Sequence, residues 1–199
     1  MHYFEYGEKE IEHLKENDLI LGRAIEEIGI IRRPIEPNIF ISLISSMIGQ
    51  QISNQAASTV KIRFQNLVGE ITPENIMKVS TTEIQQCGTT MRKAEYIKGI
   101  AESAVQKVID FENLKKLSDA EVIKELTQLK GVGEWTAEML LIHSLNRPNV
   151  ISYNDLAIRR GMKRLYKIED LPKKIFNQYK EKYHPYSTTA SLYLWEISK

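Results

Sequence analysis

The chain has 199 residues, enough for one compact domain or two small lobes. Its 42% hydrophobic content is ordinary for a globular protein, and no apolar run is long enough to form a membrane-spanning helix. A formal net charge of +1 gives no overall sign of a polyanion binder, and the single cysteine, Cys87, excludes both an internal disulfide and a four-cysteine iron–sulfur site.

The periodicity predicts an all-α chain. Helical patterns run over residues 8–16, 18–29, 37–50, 53–67, 73–79, 82–87, 91–109, 119–129, 134–145, 155–165, 172–183 and 187–197. Several starts carry a capping signature. Thr72 stands before Pro73 at a helical N1 position. Ser80 with Glu83, and Ser118 with Glu121, are capping boxes. Pro172 suits the first turn of a later helix. No alternating strand pattern persists. Residues 30–37, with Arg32-Arg33-Pro34 and Pro37, read as a crossover between lobes.

Charge is distributed unevenly. Residues 1–30 hold eight acids against three bases, whereas residues 147–174 hold eight bases against three acids. Such a cluster can be a local electrostatic footprint for DNA on a neutral protein, although a charge run is more often a solvated helix face. The N-terminus lacks the basic start and apolar core of a signal peptide, so an intracellular location (cytoplasm or nucleoid in a prokaryote) is expected.

Two features point to chemistry. Leu129-Lys130-Gly131-Val132-Gly133-Glu134-Trp135 places a Gly-x-Gly turn at the start of a helix. The first N–H groups of a helix lack intrahelical partners, and the helix dipole adds positive character there, so a phosphate fits. Glycines at 131 and 133 permit positive φ and close approach of an anion. By itself the pattern fits a tight interhelical turn equally well. The second feature is Asp155, in Ser152-Tyr153-Asn154-Asp155, just after that helix ends. An acid at this place can cap the next helix. It can also serve a reaction that needs one fixed carboxylate, and the two roles are compatible.

The helix opened by Ser118, the turn and the helix over residues 134–145 resemble a helix-hairpin-helix motif. With Asp155 downstream, the chain resembles the helix-hairpin-helix DNA glycosylases of the Gly/Pro-Asp type (HhH-GPD), and most of all the 3-methyladenine DNA glycosylase II family. Three more segments carry the likeness in family order: Leu21-Gly22-Arg23-Ala24-Ile25, Ile48-Gly49-Gln50-Gln51-Ile52-Ser53, and Gly88-Thr89-Thr90-Met91-Arg92-Lys93-Ala94. The resemblance implies two helical lobes with a DNA-binding cleft between them. One lobe would comprise residues 1–35 with 146–199, the other residues 36–145 including the hairpin 129–134. The sheet-containing N-terminal domain of larger bacterial members has no room in this length.

The resemblance also assigns roles. Lys130, Gly131, Val132 and Gly133 would hold the DNA backbone, and Gln51 would be the wedge that fills the gap left by a flipped nucleotide. Trp135 and Tyr186 would line an aromatic base pocket, with Met139 and Leu156 where a larger relative has tyrosines. An aromatic face attracts a cationic alkylated purine by roughly 0.5–2 kcal/mol. Asp155 would stabilise the oxocarbenium-like transition state or help water attack the sugar. Bifunctional relatives carry a Schiff-base lysine just after the hairpin, and Trp135 fills that place here. The expectation is therefore a monofunctional glycosylase for alkylated purines in base excision repair. It would act as a monomer on double-stranded DNA containing damaged bases, with no membrane partner. The alternatives are a glycosylase for mismatched or oxidised bases and a non-catalytic DNA-binding protein. No cofactor is required, although carbonyls of Thr127, Leu129 and Val132 could hold a structural Na+ or K+ at the hairpin.

Overall fold

The computed structural model describes residues 2–199, and among these it contains twelve α-helices. The chain divides into two compact units, one built from residues 1–35 and 141–199 and the other from residues 36–140. Among the described residues, no helix is long and apolar enough to cross a membrane.

The continuous unit contains α3 (Ile39–Gly49), α4 (Asn54–Val68), α5 (Pro73–Lys78), α6 (Thr81–Gln86), α7 (Met91–Val105) and α8 (Asp119–Leu126). A short 3-10 turn covers Asn113–Lys116, and α9 (Glu134–His143) runs across the division between Leu140 and Leu141. In α3, Ile39, Phe40, Leu43, Ile44, Met47 and Ile48 are buried, a three-to-four residue spacing that puts one wide face into the core. In α4, Ala57, Val60, Phe64 and Val68 repeat that spacing. The sequence-predicted caps form: Thr72 accepts the Asn75 N–H, and both boxes, Ser80 with Glu83 and Ser118 with Glu121, close reciprocally. Two helices, α7 and α8, stop well short of their sequence patterns, and several others end a residue or two early. The apolar rhythm of α7 continues to Ile109, but Lys107 takes a left-handed φ of 55° and the Val108 N–H turns back to the Ser103 carbonyl. This C-terminal closure satisfies an orphan carbonyl. Likewise α8 ends at Leu126 rather than residue 129, because residues 127–130 begin the hairpin turn.

The discontinuous unit contains α1 (Glu8–Asn17), α2 (Leu19–Ile28), α10 (Leu156–Tyr166), α11 (Lys173–Tyr183) and α12 (Ser187–Ile197). Leu14, Leu21, Ile25, Ile151, Ile158, Met162, Phe176, Tyr193 and Leu194 form its core. A two-residue antiparallel pair, His2–Tyr3 (β1) with Pro34–Ile35 (β2), was not expected from the sequence. Two residues are too few to show any alternation. Asp18 joins distant parts of this unit. It is 4% exposed and caps α2 through the Ile20 and Leu21 N–H groups. Its Oδ2 accepts the Tyr166 hydroxyl at 3.0 Å and pairs with Lys182 at 3.3 Å.

Candidate active site

The hairpin is anchored from below and open above. Leu129 and Val132 are buried, while Lys130, Gly131 and Gly133 are exposed. The Val132 N–H donates to the Leu129 carbonyl at 3.1 Å, which closes the turn. Gly131 takes φ +85°, and a Cβ there would lie 2.7 Å from Cε2 of Tyr96 in α7, so the backbone lies flat on that ring. Gly133 departs from the sequence expectation. It does not take a positive φ, and open space lies where its Cβ would stand. The Gly133 carbonyl accepts the Ala137 N–H as α9 begins.

The Gln50-Gln51 turn belongs to the same unit. Gln50 faces inward, with its Nε2 3.4 Å from the Gly131 carbonyl and 3.5 Å from Thr136 Oγ1. Gln51 is exposed and left-handed, with φ 58°. Lys93 fixes this turn from α7, donating to the carbonyl of Ile48 at 3.1 Å and to that of Gln50. These are carbonyls at the end of α3, where a cation also meets the negative end of the helix dipole. Burial pushes the Lys93 amine below its usual range. Lys93 lies in the segment 88–94, where sequence alone assigns it no role.

Trp135 is 39% exposed on the first turn of α9, so it is not a core residue. Met139, one turn further along α9, is buried. Asp155, in the discontinuous unit, is 6% exposed and is the N-cap of α10. Its Oδ1 accepts the Ala157 N–H at 2.8 Å and the Ile158 N–H at 2.9 Å. Two charge-assisted bonds at the positive end of a helix hold the carboxylate in one orientation. Leu156 follows it and is 74% exposed. Tyr186 packs edge-on against His13 of α1 at 5.1 Å, with Lys9 5.9 Å from the ring centroid.

A neighbouring cluster was not found from the sequence. His143 stacks on Trp195 with centroids 5.6 Å apart and planes 20° apart, and the Arg33 guanidinium lies 5.3 Å from the Trp195 ring. Burial, reinforced by Arg33 and opposed by Asp155, pushes the His143 imidazole down to about 4. The residues come from three separate segments, so no local pattern could reveal them. Among the described residues, no group of three or more His, Cys, Asp or Glu side chains could hold a metal ion.

A hairpin with exposed glycines, followed in sequence by a buried aspartate that caps the next helix, defines a class. The profile described as HhH-GPD superfamily base excision DNA repair protein matches residues 44–185, and the chain belongs to that superfamily. A relative from Schizosaccharomyces pombe, DNA-3-methyladenine glycosylase 1, is 38% identical over 162 residues, covering 79% of this chain and 71% of its own. The DNA-3-methyladenine glycosylase of Saccharomyces cerevisiae is 39% identical over 132 residues, which cover 61% of this chain and 45% of its own. Among solved structures, a DNA-3-methyladenine glycosidase from Bacillus halodurans aligns with a TM-score of 0.89 and 37% identity, over 100% of this chain and 93% of the other. The Schizosaccharomyces pombe enzyme in complex with abasic DNA aligns with a TM-score of 0.85 and 34% identity, over 95% of this chain and 96% of the other.

Proposed function

We propose that the protein is a monofunctional DNA glycosylase that removes alkylated purines of the 3-methyladenine type by base flipping and N-glycosidic hydrolysis. The observation that carries this reading is the Asp155 carboxylate, 6% exposed and locked by two backbone N–H groups at the start of α10. Cleavage of the bond to a sugar develops positive charge on that sugar, and a fixed carboxylate stabilises it without reorganising. The substrate class is supported by the names of the relatives that cover most of this chain.

The other residues divide the remaining work. Gly131 and Gly133 are exposed and would offer backbone N–H groups to a phosphate, with Lys130 exposed beside them. Gln51, exposed and held in a left-handed turn, is the wedge. Trp135, 39% exposed, would offer an aromatic face to the base, and the family likeness gives Met139, Leu156 and Tyr186 to the same role. A tryptophan at 135 cannot form a Schiff base, so the product is an abasic site rather than a nicked strand. The reaction requires no cofactor. The hairpin offers carbonyls to a monovalent cation: Thr127 is the C-cap of α8, at the negative end of its dipole, and the Leu129 carbonyl accepts the Val132 N–H across the turn. Together with Thr127, the carbonyls of Leu129 and Val132 would hold Na+ or K+, which would stiffen the hairpin. The protein would work inside the cell as a monomer on damaged duplex DNA.

A base-release assay on methylated, deaminated and oxidised duplexes tests this, with Asp155→Asn in parallel. The wild type should free 3-methyladenine or 7-methylguanine and leave the strand intact. Asp155→Asn should bind abasic duplex yet release almost nothing. Failure on methylated DNA overturns the alkylation reading, and release of other bases would assign a different glycosylase. Binding without release of any base would leave a DNA-binding protein.

A further inference from the structure

We propose that Arg159 and Lys163 form a phosphodiester-binding subsite on α10, one turn from Asp155, that grips the strand carrying the nucleotide under attack. The inference rests on the glycosylase reading and adds a subsite to it. A hollow of about 310 Å³ is lined by Tyr153, Arg159, Lys163, Asp170, Leu171 and Pro172. It lies entirely within the discontinuous unit. The Arg159 guanidinium stands 4.8 Å from the Tyr153 ring centroid, and the Tyr153 hydroxyl donates to the Leu171 carbonyl at 3.3 Å. The ring therefore forms a braced platform that keeps the guanidinium extended.

The guanidinium of Arg159 is not used up by partners within the fold. Its Nε is buried and has no hydrogen-bond partner. Neither Arg159 nor Lys163 makes a salt bridge among the described residues, although Asp170 shares the hollow. A buried N–H of a charged group without an acceptor is costly, and a planar guanidinium fork matches a phosphate in two-bond geometry. Lys163 is four residues further along α10, so it projects on the same face and adds a point charge.

The position has an electrostatic consequence. The Arg159 N–H donates to the Asp155 carbonyl at 3.1 Å, which places the two residues on successive turns. A bare guanidinium so near a developing oxocarbenium would oppose it. A bound phosphate neutralises the guanidinium, so the Asp155 carboxylate acts on the sugar without that opposition. The subsite thus couples correct strand placement to the field at the sugar.

The test measures binding of a duplex with a tetrahydrofuran abasic analogue across a salt series, using Arg159→Ala, Lys163→Gln, the double variant and Arg159→Lys. Each lost phosphate contact should make the slope of log affinity against log salt shallower by about one. The double variant should therefore lose about two, and Arg159→Lys should retain most of the wild-type slope. In base release, KM should rise several-fold while kcat changes little for Lys163→Gln. An unchanged salt slope in the double variant, with its thermal unfolding intact, overturns the subsite. Because binding is read without catalysis, this result is independent of whether the wild type releases any base.

Discussion

Gly161 of α10 rests directly on the backbone of Leu194 in α12, where a Cβ would fall 2.8 Å from the Leu194 carbonyl carbon. Backbone cannot swing aside as a flexible side chain can. Gly161→Ala should therefore push α10 off α12 and cost about 1–3 kcal/mol or more. The check is thermal or urea unfolding. Because Asp155 caps the same helix, base release should fall in the purified folded variant as well.

Capping and catalysis at Asp155 can be separated. Asparagine keeps an oxygen that can cap α10, whereas alanine removes it. Asp155→Asn should unfold near the wild-type midpoint, and Asp155→Ala should lose about 1 kcal/mol. Both should lose base release by about a hundredfold or more. Equal loss of stability in the two variants, with release retained in Asp155→Asn, would leave only the capping role.

Lys93 should matter to the proposed wedge, Gln51, without touching DNA. Lys93→Met retains the aliphatic stem but removes the donor shared by the Ile48 and Gln50 carbonyls. Leaving such carbonyls unpaired costs about 1–3 kcal/mol. The freed Gln50-Gln51 turn should raise KM for damaged duplex more than it lowers kcat. Steady-state kinetics on one substrate measures both.

His143 makes stability depend on pH in the direction opposite to that of a histidine gaining an acidic partner. Its folded value, about 4, lies below the ordinary 6.5. Between these values the unfolded chain binds the proton and the folded one does not, so stability falls as pH drops from 6.5 towards 4. The full loss amounts to about 3 kcal/mol. His143→Phe keeps a ring against Trp195 and removes the titration. Urea unfolding at several pH values should give a flatter curve for this variant.

The helical framework was legible because caps and periodicity are local. Ser80, Ser118 and Thr72 mark real starts, and the three-to-four spacing marks real faces. The ends of α7 and α8 were less legible, because a left-handed Lys107 and the hairpin stop helices whose apolar rhythm runs on. At the site, Gln50 and Gln51 are alike in sequence and become distinct only through backbone direction. The roles of Lys93, and of His143 with Trp195 and Arg33, depend on segments brought together by folding. Such contacts leave no spacing to read.

The division of the chain also bears on how it is made. Residues 36–140 are continuous and can close as soon as they clear the ribosome. The other unit needs α1 and α2 at one end and α12 at the other. At about 5–20 residues per second, the first two helices wait roughly ten to thirty seconds for their last partner. Throughout that interval the apolar faces of Leu14, Leu21 and Ile25 lack most of their final cover.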